Sequence, residues 1–579
     1  MTNSKLFLSL LLAGAVSTAS AQSLKDAKAA MEVEQYGKAK DMLQKLVAKK
    51  AKDGENYFYL GQIYLINDKV DSAAIVFQQG LTNAPKEKLN NVGLGAVDLI
   101  KGNAAAGAQK IADATNGVGK KEYLNLYYAG RAYIDAPKPD YQKAVEYLTK
   151  AQELNKKDPL ISVALGDAYA GLRENSQAYV HYRNALTIND KLLAPQIGQA
   201  IISRRAQAYD QVLEDLGLLA TEHPDYGPIY REIAETYYLS SLKAPEDQYR
   251  EINQKGVENY KKYLALTGDN SIDAKIRYAD FLVYSASFDE LKTVSQELAS
   301  VPDVDPKVFR YLGYIAFTQD KDYAKAKENL TELFSKVDTS RLIGRDYLIA
   351  GMSEILAGDK AKGLEYLNTA ITKQGEDDDF DAEIAETAFL KYQENEMEAA
   401  KELFKIPAAN PKSNFYADAN YYLGQLAYGV GSKLVAVPEG TERTPEEAAA
   451  KFNEAKPHLE EAIKALSIAA NATEQRAKDM YQINALYYKG LSEMALDNIL
   501  ADPDNAKGIF VDTFKKLLTA ISSSTKEDPN NTVYAADAHS YLGYYAYLKG
   551  DTATAKQHFT ETLKIRPEDA FAKQMIEAL

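Results

Sequence analysis

The sequence predicts an all-α solenoid, an array of antiparallel helix pairs that are stacked in one direction and contact only their sequence neighbours. The chain has 579 residues, too many for one ordinary hydrophobic core, so an array of repeats or several domains is expected. Small residues recur along the chain with a spacing of 34, which is typical of helical repeats. They form three series: Ala39, Ala73 and Gly107; Ala144, Ala178 and Val212; Gly166, Ala200 and Ala234.

The residue types within each repeat are specific. Around Gly543 the pattern has His539 and Leu542 before the glycine, then Ala555, Phe559 and Pro567 after it. The same offsets recur upstream around Gly61, Gly351 and Gly166, and from Gly166 they lead to Ala178 and Tyr182. This pattern resembles the tetratricopeptide repeat, in which an aromatic, a Leu-Gly pair, a Tyr, then Ala, Phe, Ala and Pro are spread over a 34-residue unit. The resemblance implies a right-handed superhelix of helix pairs and a role in protein–protein interaction.

Small residues allow the two helices of a pair to approach closely, and aromatic residues fill the remaining space. Pro85 and Pro567 come where the second helix must end, because proline lacks the N–H that would continue it. Gly102-Asn103, Gly358-Asp359 and Gly550-Asp551 predict the turns between paired helices, with glycine in the left-handed conformation and the next residue capping the following helix.

The N-terminus predicts a signal peptide over residues 1–21. Lys5 precedes the apolar run Leu6–Val16, and Ala19-Ser20-Ala21 is the small-residue pattern of a cleavage site. We therefore expect an exported protein that begins at Gln22, has no transmembrane segment in the mature chain, and lies in the periplasm or at the outer cell surface.

The mature chain is predicted to form two halves, residues 22–301 and 307–579. The prolines of Pro302–Pro306 interrupt helix between them and indicate a hinge. Insertions in the 34-residue spacing at Asp135–Asp140, Ser240–Glu251 and 429–449 are expected to form loops on one face.

The C-terminal residues are expected to form a capping helix over the last repeat. Phe571, Met575 and Leu579 are spaced by four residues, which places them on one helix face. Such a helix would cover the apolar face that no further repeat follows.

Composition excludes several classes of function. A formal net charge of −14 would repel the phosphates of nucleic acid, and the absence of cysteine excludes disulfides, thiolate metal sites and cysteine nucleophiles. The five histidines show no metal-ligand spacing: His181, His223, His458, His539 and His558. We therefore predict no catalytic residue, no metal and no cofactor.

Four short motifs imitate ligand sites without completing them. Gly117–Lys120 and Gly429–Lys433 lack the full phosphate-loop pattern and are interpreted as turns. Gly93–Asp98 lacks the third glycine of a dinucleotide loop, and Asp377–Ala382 lacks the glycine of a calcium loop.

The leading hypothesis is a non-catalytic scaffold that binds a peptide or a partner protein of unknown identity, with no nucleic-acid partner. An exported enzyme acting on envelope glycan, with its residues spread over several repeats, remains an alternative. So does a structural adaptor that assembles through its own ends. The oligomeric state is left open.

The resemblance also implies which residues face the groove, namely those three before, one after and four after the repeat glycine. In this chain they are Phe58, Gln62, Leu65, Tyr127, Arg131, Arg310, Tyr314, Phe317, Tyr421, Gln425, Tyr428, Tyr544 and Tyr547. Gln62, Tyr314, Gln425 and Tyr544 stand where the family's carboxylate clamp has Asn. A chaperone-tail ligand is therefore not expected, and Arg131 and Arg310 are predicted to contact an anion or a carbonyl group.

Overall fold

The structure is a computed structural model that describes residues 23–437, 442–500, 502–525 and 528–579. The predicted signal peptide lies outside these residues. The described residues form 29 α-helices and three short 3-10 helices, and none of them lies in a β-strand. The prediction of an all-α solenoid is confirmed.

The chain forms two compact units, Met1–Val308 and Phe309–Leu579. The helices of the first unit are α1 Leu24–Glu32, α2 Tyr36–Lys49, α3 Gly54–Ile66, α4 Val70–Asn83, α5 Leu89–Ile100, α6 Ala104–Thr115, α7 Tyr123–Ile134, α8 Tyr141–Leu154, α9 Pro159–Gly171, α10 Asn175–Ile188, α11 Leu193–Arg205, α12 Tyr209–Glu222, α13 Gly227–Ser241, α14 Glu246–Thr267, α15 Ile272–Tyr284 and α16 Phe288–Ala299.

Helix α17 spans the boundary between the units. The helices from there to the end are α17 Lys307–Thr318, α18 Tyr323–Lys336, α19 Gly344–Leu356, α20 Lys360–Thr372, α21 Phe380–Gln393, α22 Met397–Ala409, α23 Tyr416–Val435, α24 Pro445–Ala470, α25 Gln475–Leu496, α26 Val511–Ser523, α27 Pro529–Leu548, α28 Thr552–Ile565 and α29 Ala570–Ala578. The predicted hinge at Pro302–Pro306 lies between α16 and α17 and stays a prediction.

Odd-numbered helices are the first members of the pairs, and even-numbered helices from α2 to α28 are the second members. Glycines on first helices receive aromatic rings from second helices. A Cβ atom built on Gly166 would lie 2.4 Å from the ring of Tyr182, and one built on Gly198 of the next pair 2.5 Å from the same ring. Phe77 is held in the same way between Gly61 and Gly93. Each such ring therefore joins its own pair to the following one.

The turns inside the regular pairs share one left-handed residue. Gly102, Gly358 and Gly550 have φ values of 81°, 102° and 75°, as predicted. In seven other pairs a residue with a side chain takes this conformation: Glu34, Asp68, Arg173, Gln207, Ala286, Lys321 and Asn395. Asp359 and Asp551 cap the helices that follow, whereas the Asn103 side chain makes no capping hydrogen bond.

Two of the three insertions lengthen helices instead of forming loops, so those two predictions were wrong. The insertion at Ser240–Glu251 mainly adds to α14, which has 22 residues. In 429–449, helix α23 continues to Val435 and α24 begins at Pro445, so Gly429–Lys433 is helical and not a turn. Between these helices residues 436–437 and 442–444 are non-helical, and 438–441 lie outside the described residues. Asp135–Asp140 does join α7 to α8 as a loop.

The first unit closes on itself after six helix pairs. In the turn between α1 and α2, Glu34 forms a 2.7 Å ion pair with Arg231 of α13. The neighbouring Gln35 Nε2 donates to the carbonyl oxygen of Leu266 in α14, 3.1 Å away. Our expectation that helix pairs contact only their sequence neighbours was therefore wrong for this unit, because the array curves enough to bring the first pair against the seventh.

The first helices lie on the inner side of this curve. In the first unit each first helix from α3 to α11 packs directly on the next first helix. Among the described residues, second helices pack on one another to a comparable extent in one place, α20 against α22 of the second unit. An array whose first helices are closer together than its second helices must curve toward the first helices. The inner face of the first unit is therefore the surface that its first helices form. In the second unit the first helices α23, α25 and α27 pack on one another in the same way, and we use the same term for their side of the unit.

Helix α29 closes the end of the array, as predicted. Met575 and Ala572 are buried against α28, and the rings of Tyr544 and Phe559 lie within 6 Å of the Phe571 ring, at 5.8 and 5.9 Å.

Candidate partner-binding surface

Three of the predicted groove residues are core residues, and these three predictions were wrong. Phe58 is 0% exposed, and its ring lies 5.8 Å from that of Phe77 and 4.6 Å from that of Tyr128. Phe317 and Tyr421 are 8% and 7% exposed. Their rings turn toward neighbouring helices, where they bury more apolar area than they would at the inner face.

Gln62, Leu65 and Arg131 come together in a small pocket on the inner face of the first unit. The pocket has a volume of about 160 Å³ and lies across α3, α5 and α7. Val92, Ala96, Ile100, Ile66, Tyr128, Ala132 and Asp135 complete its lining. An apolar floor with an amide and charged groups at the rim can take one apolar side chain and bind the polypeptide beside it.

The guanidinium group of Arg131 is already paired within the protein. It lies 2.6 Å from Asp167 of the next first helix and 2.8 Å from Asp135, the residue that follows its own helix. Burial raises the pKa of the Asp135 carboxyl, and the positive charge of Arg131 opposes this rise. Arg131 therefore shapes the pocket rim and holds two first helices together, but it offers no unpaired positive charge.

Arg310 has a similar structural role in the second unit. It forms a bidentate pair with Asp346 of α19, at 2.6 and 2.8 Å, and the Asp346 side chain is 1% exposed. Arg345 bridges to Glu383 of α21 in the same way, with both bonds at 2.9 Å. Such bidentate pairs connect successive first helices along the inner face.

A row of half-buried tyrosines crosses four first helices of the second unit. It consists of Tyr392 on α21, Tyr428 on α23, Tyr488 on α25 and Tyr541 on α27, and we call it the tyrosine row. The rings of Tyr428 and Tyr488 are 5.6 Å apart. Of its members only Tyr428 was predicted from the sequence.

Gln425 lies beside the tyrosine row and links its member Tyr392 to the buried Tyr421. The Tyr392 hydroxyl donates to Gln425 Oε1 at 3.5 Å, and Gln425 Nε2 donates to the Tyr421 hydroxyl at 2.8 Å. Burial raises the pKa of Tyr428 to about 12, and it also raises the pKa values of Tyr392 and Tyr541. These hydroxyls therefore remain protonated at physiological pH and can donate hydrogen bonds.

At the edge of the tyrosine row the carboxylate of Asp537 fixes the ring of Tyr487. Tyr487 stacks on Tyr534 at 3.8 Å, and its hydroxyl donates to Asp537 at 2.7 Å. The other oxygen of Asp537 accepts from Arg566 at 2.6 Å. The row is thus bounded by a rigid, hydrogen-bonded set of side chains.

The remaining predicted residues line neither the pocket nor the tyrosine row. Tyr127 packs edge-on against Tyr128 at 4.8 Å, and Tyr314 is half-buried against the core of the second unit. Tyr544 contacts Phe571 of the cap, and Tyr547 is 40% exposed near the end of α27. Their roles in binding stay predictions.

The tyrosine row was missed because the repeat offsets were counted from a glycine. Helix α21 has no glycine, and Tyr488 lies two residues before Gly490, which is not one of the predicted offsets. The high density of tyrosine on α23, α25 and α27 could have indicated the row. We had attributed these tyrosines to packing between helices.

Two of the histidines lie in contact near the C-terminal end of the chain. His539 and His558, from the last two pair-forming helices, lie 2.9 Å apart through their Nδ1 atoms. Within the described residues, no three His, Cys, Asp or Glu side chains are grouped so that they could hold a metal ion.

None of the described helices combines the length and the apolar character needed to cross a membrane.

Comparison with known proteins identifies the repeat. Residues 24–88, which contain the first two helix pairs, match the family model described as tetratricopeptide repeat. A search of curated proteins gave no match.

Several solved structures are similar in fold. A tetratricopeptide repeat protein from Parabacteroides merdae has 16% identity, with 44% of this chain and 94% of that chain covered and a TM-score of 0.29. The C-terminal part of a repeat-containing protein from Cytophaga hutchinsonii has 15% identity, coverage of 52% and 98%, and a TM-score of 0.27. The APC/C hetero-tetramer Cut9-Hcn1 has 14% identity, coverage of 95% and 94%, and a TM-score of 0.28. Similarities at this level carry no information about function.

The matched segment and the later helix pairs share the same construction. The ring of Phe77 in the matched segment lies between two glycines, as does that of Tyr182 three pairs later, and the left-handed turn recurs as far as Gly550. Residues 24–88 therefore match the tetratricopeptide repeat family, and the later helix pairs follow the same construction.

Proposed function

We propose that this protein is a non-catalytic scaffold of the cell envelope that binds a peptide or a partner protein on its inner face. The observation that carries the proposal is the tyrosine row. Tyrosine supplies a large apolar surface with little loss of conformational entropy, together with a hydroxyl that can donate a hydrogen bond. Binding energy at protein interfaces concentrates at such residues.

The row is suited to an extended polypeptide. It continues across four first helices, so it offers repeated contacts along one direction, and its hydroxyls stay protonated as donors to backbone carbonyl groups. The pocket of about 160 Å³ in the first unit can take a single apolar side chain of a partner. Each surface lies within one unit, so either can be tested by itself.

Export to the periplasm is part of the proposal and rests on the N-terminal sequence. Lys5, the apolar run Leu6–Val16 and the Ala19-Ser20-Ala21 site support it. Fractionation of the producing cells, with N-terminal sequencing of the recovered protein, tests it. Recovery of a chain that begins at Gln22 is expected, and recovery from the cytoplasm with Met1 intact contradicts it.

Photocrosslinking tests the location of binding. A photoreactive phenylalanine replaces Tyr428 in one variant and Tyr179 in another. Tyr179 lies on the second helix α10 and is 48% exposed, so it is a matched aromatic position away from the inner face. We expect a discrete crosslinked protein from envelope fractions with the probe at 428 and none at 179. Equal labelling at both positions, or none at 428, contradicts the proposal.

A further inference from the structure

The second unit contains a positively charged pocket that lies away from the tyrosine row. Its volume is about 780 Å³, and it is bounded by the end of α24, by α25 and by α26. This volume lies within the range of small-molecule sites. The pocket is unexpected because the chain as a whole carries a net charge of −14.

Three lysines provide the charge of the pocket. Lys478 extends from α25, and Lys515 and Lys516 extend from α26. Lys516 pairs with Asp512 at 2.7 Å, but both side chains are more than half exposed, so water screens this pair. Lys478 and Lys515 form no ion pair with any of the described residues.

One acidic residue also lines the pocket, and it leaves the net charge positive. Asp479 accepts a hydrogen bond from Gln475 Nε2 at 2.6 Å. With Lys516 paired to Asp512, the other charged groups of the lining, Lys478, Lys515 and Asp479, carry a formal charge of +1. An anion that enters the pocket therefore meets two ammonium groups that no carboxylate neutralises.

The rest of the lining has an apolar floor and a hydroxyl-rich wall. Ile483 and Leu486 of α25 form part of the floor. Thr519 and Ser523 lie one turn apart on α26 and each contributes a hydroxyl group, and Gln482 of α25 contributes an amide. This combination suits a ring with an apolar face and several hydroxyl groups, as in a sugar, with the anionic group placed toward the lysines.

We propose that this pocket binds an acidic sugar, a small polyhydroxylated ring bearing a phosphate or a carboxylate. The ligand's charge is held by Lys478 and Lys515, and its hydroxyls exchange hydrogen bonds with Thr519, Ser523 and Gln482. This binding site is separate from the inner face, so it goes beyond the proposed scaffold function and does not depend on it.

Isothermal titration of the full chain with four probes tests the proposal. The probes are glucose 6-phosphate, glucuronate, glucose and inorganic phosphate, at low and high salt. We expect at least one acidic sugar to bind about tenfold or more tightly than both glucose and inorganic phosphate, and its affinity to fall as salt rises. Preference for glucose 6-phosphate or for glucuronate shows whether the charge is a phosphate or a carboxylate.

Matched variants locate the binding. Lys478→Gln with Lys515→Gln should weaken the preferred acidic sugar about tenfold or more. The control is Lys451→Gln with Lys456→Gln, which removes the same charge from α24. Lys451 lies about 28 Å along this helix from Ala470, which lines the pocket. The control should therefore leave binding unchanged. Circular dichroism confirms that both variants are folded. The proposal is overturned if the acidic sugars bind no tighter than glucose or inorganic phosphate, or if the two double variants behave alike.

Discussion

At the scale of single residues, glycine sets how closely the two helices of each pair approach. The ring of Tyr182 fills the space that a side chain at Gly166 or Gly198 would need. The Tyr182 hydroxyl donates to Asp167 at 2.8 Å, and Asp167 in turn accepts from Arg131. One aromatic ring therefore connects packing between helices to the ion pairs of the inner face.

We predict that Gly166→Ala destabilises the protein. The added Cβ would lie 2.4 Å from the Tyr182 ring, so the ring or the helix must move, and overpacking of this kind costs about 1–3 kcal/mol. Gly217→Ala is the control, because no atom lies within 4 Å of its added Cβ inside α12. It should stabilise by roughly 0.5–1 kcal/mol. Urea unfolding of both variants measures the two changes, and equal effects would contradict the packing described.

A second prediction concerns Arg310, which the sequence suggested as a ligand contact. Arg310→Met removes the partner of Asp346, whose side chain is 1% exposed, and leaves a buried carboxylate unpaired. The free energy of unfolding should fall by about 3 kcal/mol or more. Replacement of the exposed Arg183 by Met should change it little. A stable Arg310→Met protein with weakened partner binding would instead restore the ligand role.

At the scale of helices and pairs, much of the fold could be predicted from the sequence. The positions of small and aromatic residues are constrained by contacts within one pair, so Gly166, Ala178 and Tyr182 were assigned correctly to the core. The insertions were harder, because residues added beside a helix can extend it as readily as they can form a loop. The burial of the Phe58 ring was also hard to predict, because the ring packs against Tyr128, which lies two helix pairs later in the chain.

The last pair of helices should lose stability in mild acid. Burial lowers the pKa values of His539 and His558, and the proximity of the two rings lowers that of His558 further, whereas Glu561 opposes the shift of both. Folded histidines with pKa values below the unfolded value of about 6.5 bind fewer protons than the unfolded chain. Their stabilising contribution is therefore present above about pH 6.5 and is lost as the pH falls below this value.

Hydrogen exchange of α27 and α28 at pH 7 and pH 5 measures this effect. Exchange should accelerate at the lower pH in the wild-type protein and accelerate less in His558→Gln. The exposed His223→Gln variant is the control and should behave like wild type. If His558→Gln retains the full acid sensitivity, the histidine pair is not its source.

At the scale of the whole molecule, repeats need not contact only their neighbours. The ion pair of Glu34 with Arg231 ties the first helix pair to the seventh in the first unit. No pattern in the sequence predicts this contact, because its geometry depends on small rotations added over six pairs. The terminal repeat, which packs on one neighbour along the chain, gains a second support from it.

We predict that Arg231→Met loosens the first repeat without unfolding the chain. Amides around the turn between α1 and α2 should exchange faster with solvent, because terminal repeats with fewer contacts open more readily. Arg183→Met is again the control and should leave these amides unchanged. Unaltered exchange in Arg231→Met would show that the closure of the first unit does not support the terminal repeat.

We infer that a partner binds to the tyrosine row. The affinity of that partner for the double variant Tyr428→Ala with Tyr488→Ala tests this inference. The partner captured at position 428 is titrated against wild type, this variant and the Tyr179→Ala control. We expect a loss of affinity of about tenfold or more for the double variant, about 1.4 kcal/mol, with unchanged helical content and no loss for the control. Equal affinities for the double variant and wild type would contradict it.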